Sequence, residues 1–195
     1  METTKQPLIT VVMPNYNGHR FVEQAIDSVL NQTYPNFELL VVDDCSKDDS
    51  LQLIQQKAQS DDRIRVIALE HNAGVANARN VGIKEAKGEF IALLDNDDLW
   101  TEDKLERQLA LARNGADIVY CSYDFIDEQN NLIKKPFIVP QQTNFNKMLV
   151  SSVISCSTSF IKTELMQGHP FNADFYHEDY VLWMELLKVC PTAYG

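Results

Sequence analysis

Four short apolar runs alternate with segments whose apolar residues recur at helical spacing, and this alternation limits the chain to few folds. The runs are LITVVMP (8–14), FELLVVDD (37–44), RIRVIAL (63–69) and EFIALLD (89–95). Strands joined through helices pair in parallel, and nearly continuous apolar strands are typical of sheets buried on both faces. The sequence therefore predicts an α/β fold with a mostly parallel, doubly wound sheet and helices on both faces.

Two of the predicted helices carry signals for their ends. The segment 74–88 would end with Gly88 as the glycine just past its last turn. The segment 101–115 would be capped by Thr101 at its start, with Gly115 past its end. Both assignments use only local sequence and ignore the rest of the fold.

The alternation breaks down after a fifth apolar run, ADIVYCSY. DEQNN (127–131) predicts the turn of a hairpin, and HEDYVLWMELLKVC (177–190) predicts a last amphipathic helix. The chain shows no internal repeat and no low-complexity linker. We therefore expect one domain over 1–195, with a nucleotide-binding-like half at about 1–120 and a more irregular half at about 121–195.

Polar segments follow three of the predicted strands. They are PNYNG after the first strand, DDCSKDD after the second and DNDD after the fourth. Ligands of open α/β sheets collect at the carboxyl ends of the strands, so we expect these segments to form one site. Asn15 and Asn17 are interpreted as turn formers within the first of them.

The charge balance restricts the ligand. Formal net charge is −11, which argues against a nucleic-acid-binding protein with a basic face. The glycine-rich phosphate loops GxxxxGK[ST] and GxGxxG are missing from the sequence. A nucleotide diphosphate would therefore need a cation, and Asp95 and Asp97 could chelate Mg²⁺ or Mn²⁺.

Five motifs together resemble those of inverting family 2 glycosyltransferases with the GT-A fold, and the match covers nearly the whole chain. In chain order they are VVMPNYNG, LLVVDDCSKDDS, AGVANARNVGI, GEFIALLDNDDLW and HEDYVLW. The resemblance implies a metal-dependent hexosyl- or N-acetylhexosaminyltransferase. Its cofactor would be Mn²⁺ or Mg²⁺, and its second half would hold the acceptor and the catalytic base.

The same resemblance implies roles for individual residues. Pro14, Tyr16 and Asp44 would hold the base of the nucleotide, and Arg79 would reach the nucleotide. Asp95 would contact the ribose or the metal, and Asp97 would ligate the metal directly. Asp179 would be the catalytic base, while Trp100 and Glu178 are candidates for sugar or acceptor contacts, with packing the alternative for Trp100.

The resemblance also implies partners and a setting. The donor would be a nucleotide sugar, with UDP favoured, and the acceptor a saccharide or lipid-linked saccharide of the bacterial cell surface. We expect a cytoplasmic protein without a secretory signal, with peripheral membrane association and oligomeric state left open. Members of the family commonly extend further, so we expect either a chain truncated after Gly195 or an unusually short member of the family.

Three other functions remain open from the sequence. A nucleotidyltransferase would carry a glycine-rich, basic loop after the first strand, where VVMPNYNGHR supplies only Gly18 and Arg20. A receiver-like signalling domain would carry its paired acids after the first strand. A nucleotide-sugar-binding domain without turnover would have the same motifs.

Overall fold

The computed structural model describes residues 6–195, and its central feature is an eight-stranded mixed sheet. Residues 1–5 of the predicted domain lie outside this range. The ten strands of the described residues are β1 (Ile9–Asn15), β2 (Phe37–Asp43), β3 (Ile64–Ala68), β4 (Phe90–Leu93), β5 (Ile118–Val119), β6 (Tyr123–Ile126), β7 (Leu132–Phe137), β8 (Gln142–Thr143), β9 (Phe160–Lys162) and β10 (Ala193–Tyr194), and all except β6 and β7 belong to this sheet.

The strand order places a topological switch point beside β1. The order is β3-β2-β1-β4-β9-β5-β10-β8, and the first four strands are parallel. β9 is inserted antiparallel between β4 and β5, and β8 is antiparallel to β10. Because β2 and β4 flank β1 on opposite sides, the connections diverge there and leave a crevice at the carboxyl ends. The prediction of a mostly parallel α/β sheet is confirmed.

Helices cover both faces of the sheet, as predicted. They are α1 (Val22–Leu30), α2 (Ser50–Ser60), α3 (Val75–Glu85), α4 (Lys104–Arg113), α5 (Phe145–Met148), α6 (Thr163–Gln167) and α7 (Glu178–Val189). Alternate residues of β1 enter different cores: Val11 packs with α1, α2 and α4, whereas Val12 packs with α3, α6 and α7. Successive side chains of a strand point to opposite faces of the sheet, so a strand buried on both faces contributes to two cores.

The two predicted helix-ending glycines have different roles. Gly115 has φ 95°, and the N–H groups of Gly115 and Ala116 bond back to the last turn of α4, as a Schellman motif requires. The prediction for Gly88 is wrong, because α3 ends at Glu85. Gly88 instead packs against β1, where an added Cβ would lie 2.5 Å from Thr10 N. Glycine fits at position 88 because it has no side chain, and not because the backbone there needs a positive φ.

The predicted cap of α4 is also wrong. The helix begins at Lys104, and Thr101 Oγ1 donates to Asp103 Oδ1 over 3.0 Å instead of capping the first turn. The N–H of Leu105 donates to Gln32 Oε1 over 2.9 Å. Gln32 follows α1, so the start of α4 is capped from a distant part of the chain.

The second half contains the predicted hairpin and the predicted final helix. β6 and β7 pair antiparallel around the DEQNN turn and form a separate two-stranded sheet. α7 packs Leu182, Trp183 and Leu186 into the core. Within residues 6–195, no helix is both long and apolar enough to cross a bilayer.

Candidate functional site

An open cavity of about 370 Å³ lies at the switch point between β1 and β4. Its wall is formed by residues from all three predicted polar segments and from the start of α3. The lining residues are Pro14, Asn15, Tyr16, Asp44, Asn72, Gly74, Val75, Ala78, Arg79, Asp95, Asn96 and Asp97. The sequence-based expectation that these segments converge agrees with this geometry.

Asp44 fixes the turn that starts α3. Its two carboxylate oxygens accept hydrogen bonds from the N–H groups of Ala73 and Gly74, each over 2.8 Å. Gly74 has φ 86°, a conformation that favours glycine at this position. Base binding by the buried Asp44 stays a prediction, and what the structure shows is that Asp44 holds the Ala73–Gly74 turn beside the cavity.

Tyr16 and Pro14 also line the cavity. Tyr16 is 47% exposed although it is a large aromatic residue, so part of its ring surface is accessible at the cavity. Pro14 is the penultimate residue of β1, directly paired with Val42 of β2. This arrangement fits the predicted role of both residues at the base of a nucleotide.

Asn15 connects two of the polar segments and is not a turn former, which corrects the interpretation made from the sequence. It is the last residue of β1 and is 1% exposed. Its Nδ2 donates to Asp43 Oδ1 over 2.7 Å and to Ser50 Oγ over 3.0 Å, while its Oδ1 accepts from Asn96 Nδ2 over 2.7 Å. Asn17, with φ 52°, lies in a bend directly after β1. The position of Asn15 directly before the loop was the only sequence signal for its role.

The DNDD segment presents its three carboxylates differently. Asp95 is half-buried, and its N–H donates to Ser157 Oγ over 3.0 Å. Asp97 is exposed on the cavity wall. The pKa of Asp98 is raised, first by burial of its carboxyl group and further by the charges of Asp95 and Asp97, while a hydrogen bond with the Ser157 side chain opposes the rise.

Arg79 joins the DNDD segment to α7. It is 5% exposed, and its Nη2 donates to Asp95 Oδ1 over 2.7 Å while its Nη1 donates to Glu178 Oε1 over 2.8 Å. Burial lowers the pKa of Arg79, but the charges around it outweigh that effect and the pKa is raised. Its Nε is buried without a hydrogen-bond partner. Arg79 was predicted to reach a nucleotide, and the structure adds that it aligns two carboxylates.

Asp179 lies beside this cluster and not on the cavity wall. It is half-buried in the first turn of α7, where its Oδ1 accepts from Tyr180 N over 2.7 Å. Burial raises the pKa of the Cys156 thiol well above its usual range, and the charge of Arg79 opposes this rise. The charges of Asp95, Asp179 and Glu178 reinforce it. Cys156 is therefore a common neighbour of the cavity acids and the predicted base.

Trp100 is a packing residue. It is 8% exposed, is not among the residues that line the cavity, and its indole N–H donates to Ser157 O over 2.8 Å. The alternative of a sugar contact by Trp100 has no support from this geometry. Glu178, the other candidate contact, is held by Arg79.

The residues present fit a divalent cation only if a ligand supplies further oxygens. In the part of the chain that the structure describes, no group of three His, Cys, Asp or Glu residues is arranged to hold a metal. Asp97 is free to reach the cavity, and Asp95 has one oxygen bonded to Arg79. Mg²⁺ and Mn²⁺ accept one or two carboxylates together with phosphate oxygens, so this donor set is suitable.

The fold and the site together define a class. A parallel β3-β2-β1-β4 half, a cavity at its switch point and an acidic segment after β4 are the features of a GT-A glycosyltransferase. The family model described as Glycosyl transferase family 2 matches residues 10–167. The chain belongs to this family.

Curated relatives agree with the assignment. An Escherichia coli protein named UDP-Glc:alpha-D-GlcNAc-diphosphoundecaprenol beta-1,3-glucosyltransferase WfgD is 40% identical over 183 residues, which are 93% of this chain and 70% of that protein. The putative teichuronic acid biosynthesis glycosyltransferase TuaG of Bacillus subtilis is 34% identical over 194 residues, covering 99% of this chain and 77% of TuaG.

Solved structures show the same fold. Residues 1–349 of S. aureus TarS, in complex with UDP, superpose with a TM-score of 0.76 at 26% identity. The match covers 92% of this chain and 54% of that one. The mannosyltransferase PcManGT of Pyrobaculum calidifontis, in complex with GDP-Man and Mn²⁺, gives a TM-score of 0.77 at 22% identity, covering 98% and 55% of the two chains. The chain thus spans about half the length of these solved chains.

Proposed function

We propose that this protein transfers a sugar from a nucleotide-sugar donor, with UDP as the nucleotide, to a hydroxyl group of a saccharide or lipid-linked saccharide. The observation that carries the proposal is the single cavity formed by three strand ends and connected through Arg79 to the start of α7. One end of this arrangement suits a nucleotide diphosphate, and the other end carries a carboxylate that can act on an acceptor.

The donor is held by the first two strand ends. Tyr16 stacks on the base, and Asp44 accepts a hydrogen bond from its ring N–H while keeping the Ala73–Gly74 turn in place. UDP is favoured because TarS is described in complexes with UDP and UDP-GlcNAc, and the name of WfgD specifies UDP-Glc.

Asp97 would hold Mn²⁺ or Mg²⁺ directly, and Asp95 would contact the cation with the carboxylate oxygen that is not bonded to Arg79. When bound, the cation stabilises negative charge on the diphosphate. Support comes from the paired carboxylates on the cavity and from the Mn²⁺ in the complex of PcManGT, a protein of the same fold. Arg79 keeps its buried charge next to Asp95 and so limits repulsion within the DNDD segment.

Asp179 is the general base. It accepts the proton of the acceptor hydroxyl as that oxygen attacks the anomeric carbon, and the bond to the diphosphate breaks on the opposite face. One displacement inverts the anomeric configuration. Glu178 is fixed by Arg79, and this contact sets the start of the helix that carries Asp179.

We infer the acceptor and the cellular process from the names of the curated relatives. The name of WfgD specifies a diphosphoundecaprenol-linked GlcNAc acceptor, and that of TuaG specifies teichuronic acid biosynthesis. We therefore place the protein in bacterial cell-surface polysaccharide assembly, acting in the cytoplasm at the inner face of the membrane as a hexosyl- or N-acetylhexosaminyltransferase. The nucleotidyltransferase and receiver-like alternatives lose their support with the family assignment.

A thermal-shift panel followed by a transfer assay tests the proposal. UDP, GDP and dTDP are each added with and without Mn²⁺, and UDP with Mn²⁺ should give the largest rise in Tm because it binds the folded state. UDP release is then measured with UDP-glucose or UDP-GlcNAc and a lipid-linked GlcNAc diphosphate. No rise with any nucleotide would refute the donor site, whereas binding without acceptor-dependent release would indicate a nucleotide-sugar-binding domain.

A further inference from the structure

Lys104 is a buried cation in an unfavourable position. It is 6% exposed and is the first residue of α4, where the helix end carries partial positive charge. Its Nζ donates to Gln108 Oε1 over 2.7 Å and lies 3.9 Å from the centre of the Trp100 ring. Burial lowers the pKa of Lys104 to about 8, with the nearby Cys121 opposing the shift. An apolar side chain would satisfy the same packing without desolvating a charge.

The two partners of Lys104 both bind one short turn, Cys156–Thr158. Gln108 Nε2 donates to the carbonyl of Thr158 over 2.8 Å, and Trp100 Nε1 donates to the carbonyl of Ser157 over 2.8 Å. Both bonds are buried. Lys104 and the carbonyl of Thr158 orient the Gln108 amide together, because an ammonium group can only donate and faces the amide oxygen, while a carbonyl can only accept and faces the amide nitrogen.

The same turn also contacts the candidate site. Ser157 is 8% exposed, and its Oγ accepts the N–H of Asp95, the first carboxylate of the DNDD segment, over 3.0 Å. Asp95 is in turn bonded to Arg79. A continuous series of contacts therefore runs from Lys104 through Gln108 and the turn to Asp95, buried as far as the turn and part-buried at Asp95.

We propose that Lys104 is a positioning residue that, through Gln108 and Trp100, holds the Cys156–Thr158 turn where Ser157 fixes the Asp95 peptide for donor binding. The inference rests on the proposed function, since it takes the nucleotide diphosphate and its metal to bind at Asp95 and Asp97. Lys104 contacts neither of them. Its buried charge is unfavourable for the fold, and its role is to help orient the amide of Gln108.

Lys104→Met tests this directly, because methionine keeps an unbranched apolar stem and removes the charge and the donor. We expect the Tm of the ligand-free protein to be unchanged or higher, while the Kd for UDP in the presence of Mn²⁺ rises at least fivefold. Lys135→Met, at an exposed position on β7, is the matched control and should change neither quantity. A residue that only stabilises the fold would behave differently: its loss would lower the Tm of the ligand-free protein. That fall, or a Kd within twofold of wild type, overturns the proposal.

Gln108→Glu provides a second test that does not depend on Lys104→Met folding. The carboxylate pairs with Lys104 but cannot donate to the carbonyl of Thr158, so the fold should persist while UDP binding weakens at least fivefold. Wild-type affinity in this variant would refute the proposed link.

A double-mutant cycle checks that Lys104 acts through Ser157. Ser157→Ala removes the acceptor of the Asp95 N–H, so adding Lys104→Met to it should weaken UDP binding by much less than Lys104→Met does alone. Independent, additive effects would exclude the turn as the connection. Wild-type protein that binds no UDP with Mn²⁺ would refute the donor site itself, whereas normal wild-type binding with unaffected variants would refute only the role of Lys104.

Discussion

Arg79 on α3 donates to Glu178 on α7 over 2.8 Å, across a separation of 99 residues in the sequence. The second amino group of the same guanidinium donates to Asp95 over 2.7 Å. One buried side chain thus sets the distance between the acids that follow β4 and the helix that carries Asp179.

Replacing Arg79 should destabilise the protein strongly. Arg79→Met leaves two partly buried carboxylates, Asp95 and Glu178, without their cation, and we expect the free energy of unfolding to fall by up to roughly 3–5 kcal/mol. Urea unfolding followed by circular dichroism measures this. Glu178→Gln keeps an acceptor for Nη1 and should lose clearly less. Equal losses in the two variants would show that the charge of Arg79 is not the stabilising element.

The metal-dependent part of nucleotide binding should depend on Asp97. Asp97→Asn keeps the shape of the side chain but weakens its affinity for a hard cation, so UDP should raise the Tm equally with and without Mn²⁺. Asp98→Asn is the control, since Asp98 does not line the cavity, and it should keep the extra rise with Mn²⁺. Loss of the Mn²⁺ effect in Asp98→Asn alone would reverse the assignment of the two residues.

Asp179 should affect turnover and not donor binding. Asp179→Asn removes the proton acceptor, and we expect kcat to fall by about 10²–10⁴-fold with the Kd for UDP unchanged. Acceptor-dependent UDP release and calorimetry measure the two quantities. Asp174→Asn, an exposed acid in the loop before α7, should behave as wild type. Full activity of Asp179→Asn would exclude this residue as the base.

Gly88 should not tolerate a side chain. In Gly88→Ala the new methyl would lie 2.5 Å from Thr10 N and 2.8 Å from Leu8 O, and we expect a loss of about 1–3 kcal/mol or more in unfolding free energy. Gly168→Ala is the matched control because its nearest neighbour would be 3.4 Å away, an ordinary contact. That variant should be neutral or slightly stabilised. Similar losses in both would mean that β1 moves to accommodate the methyl group.

The stability of the wild type relative to Lys104→Met should rise with pH. Lys104 has a folded-state pKa of about 8, lowered from 10.5, so between these values the unfolded chain binds more protons than the folded one. The desolvation penalty is complete below pH 8 and disappears as pH approaches 10.5, a change on the order of a few kcal/mol. Urea unfolding of both proteins at pH 7 and at pH 10 measures this change. A pH-independent difference would show that the amine is not desolvated.

The sequence predicts the part of the fold that local patterns determine. β1, β2 and β4 follow from apolar runs, and Gly115 ends α4 where the sequence indicates. β9 has three residues and pairs antiparallel with two strands distant in sequence, so no local period indicates it. The start of α4 was mispredicted for the same reason, because Gln32 supplies its cap.

The candidate site shows the same division. The rule that ligands bind at the carboxyl ends of strands was sufficient to predict that Tyr16, Asp44 and Asp97 line one cavity. It could not show that Arg79 would bind Asp95 and Glu178 at once, since that contact depends on how α7 returns to the sheet. Family motifs indicate which residues matter, and tertiary packing decides which of them touch each other.

The β6–β7 hairpin lies in sequence between β5 and β8 and forms a separate two-stranded sheet. In the large sheet, β5 and β8 both lie on the far side of β4 from β1. The length of the hairpin can therefore change without altering the spacing of β1, β2 and β4. A change of hairpin length would act mainly on the contacts of its tip near α1, where Arg20 pairs with Glu128 and Asn130 donates to Gln24.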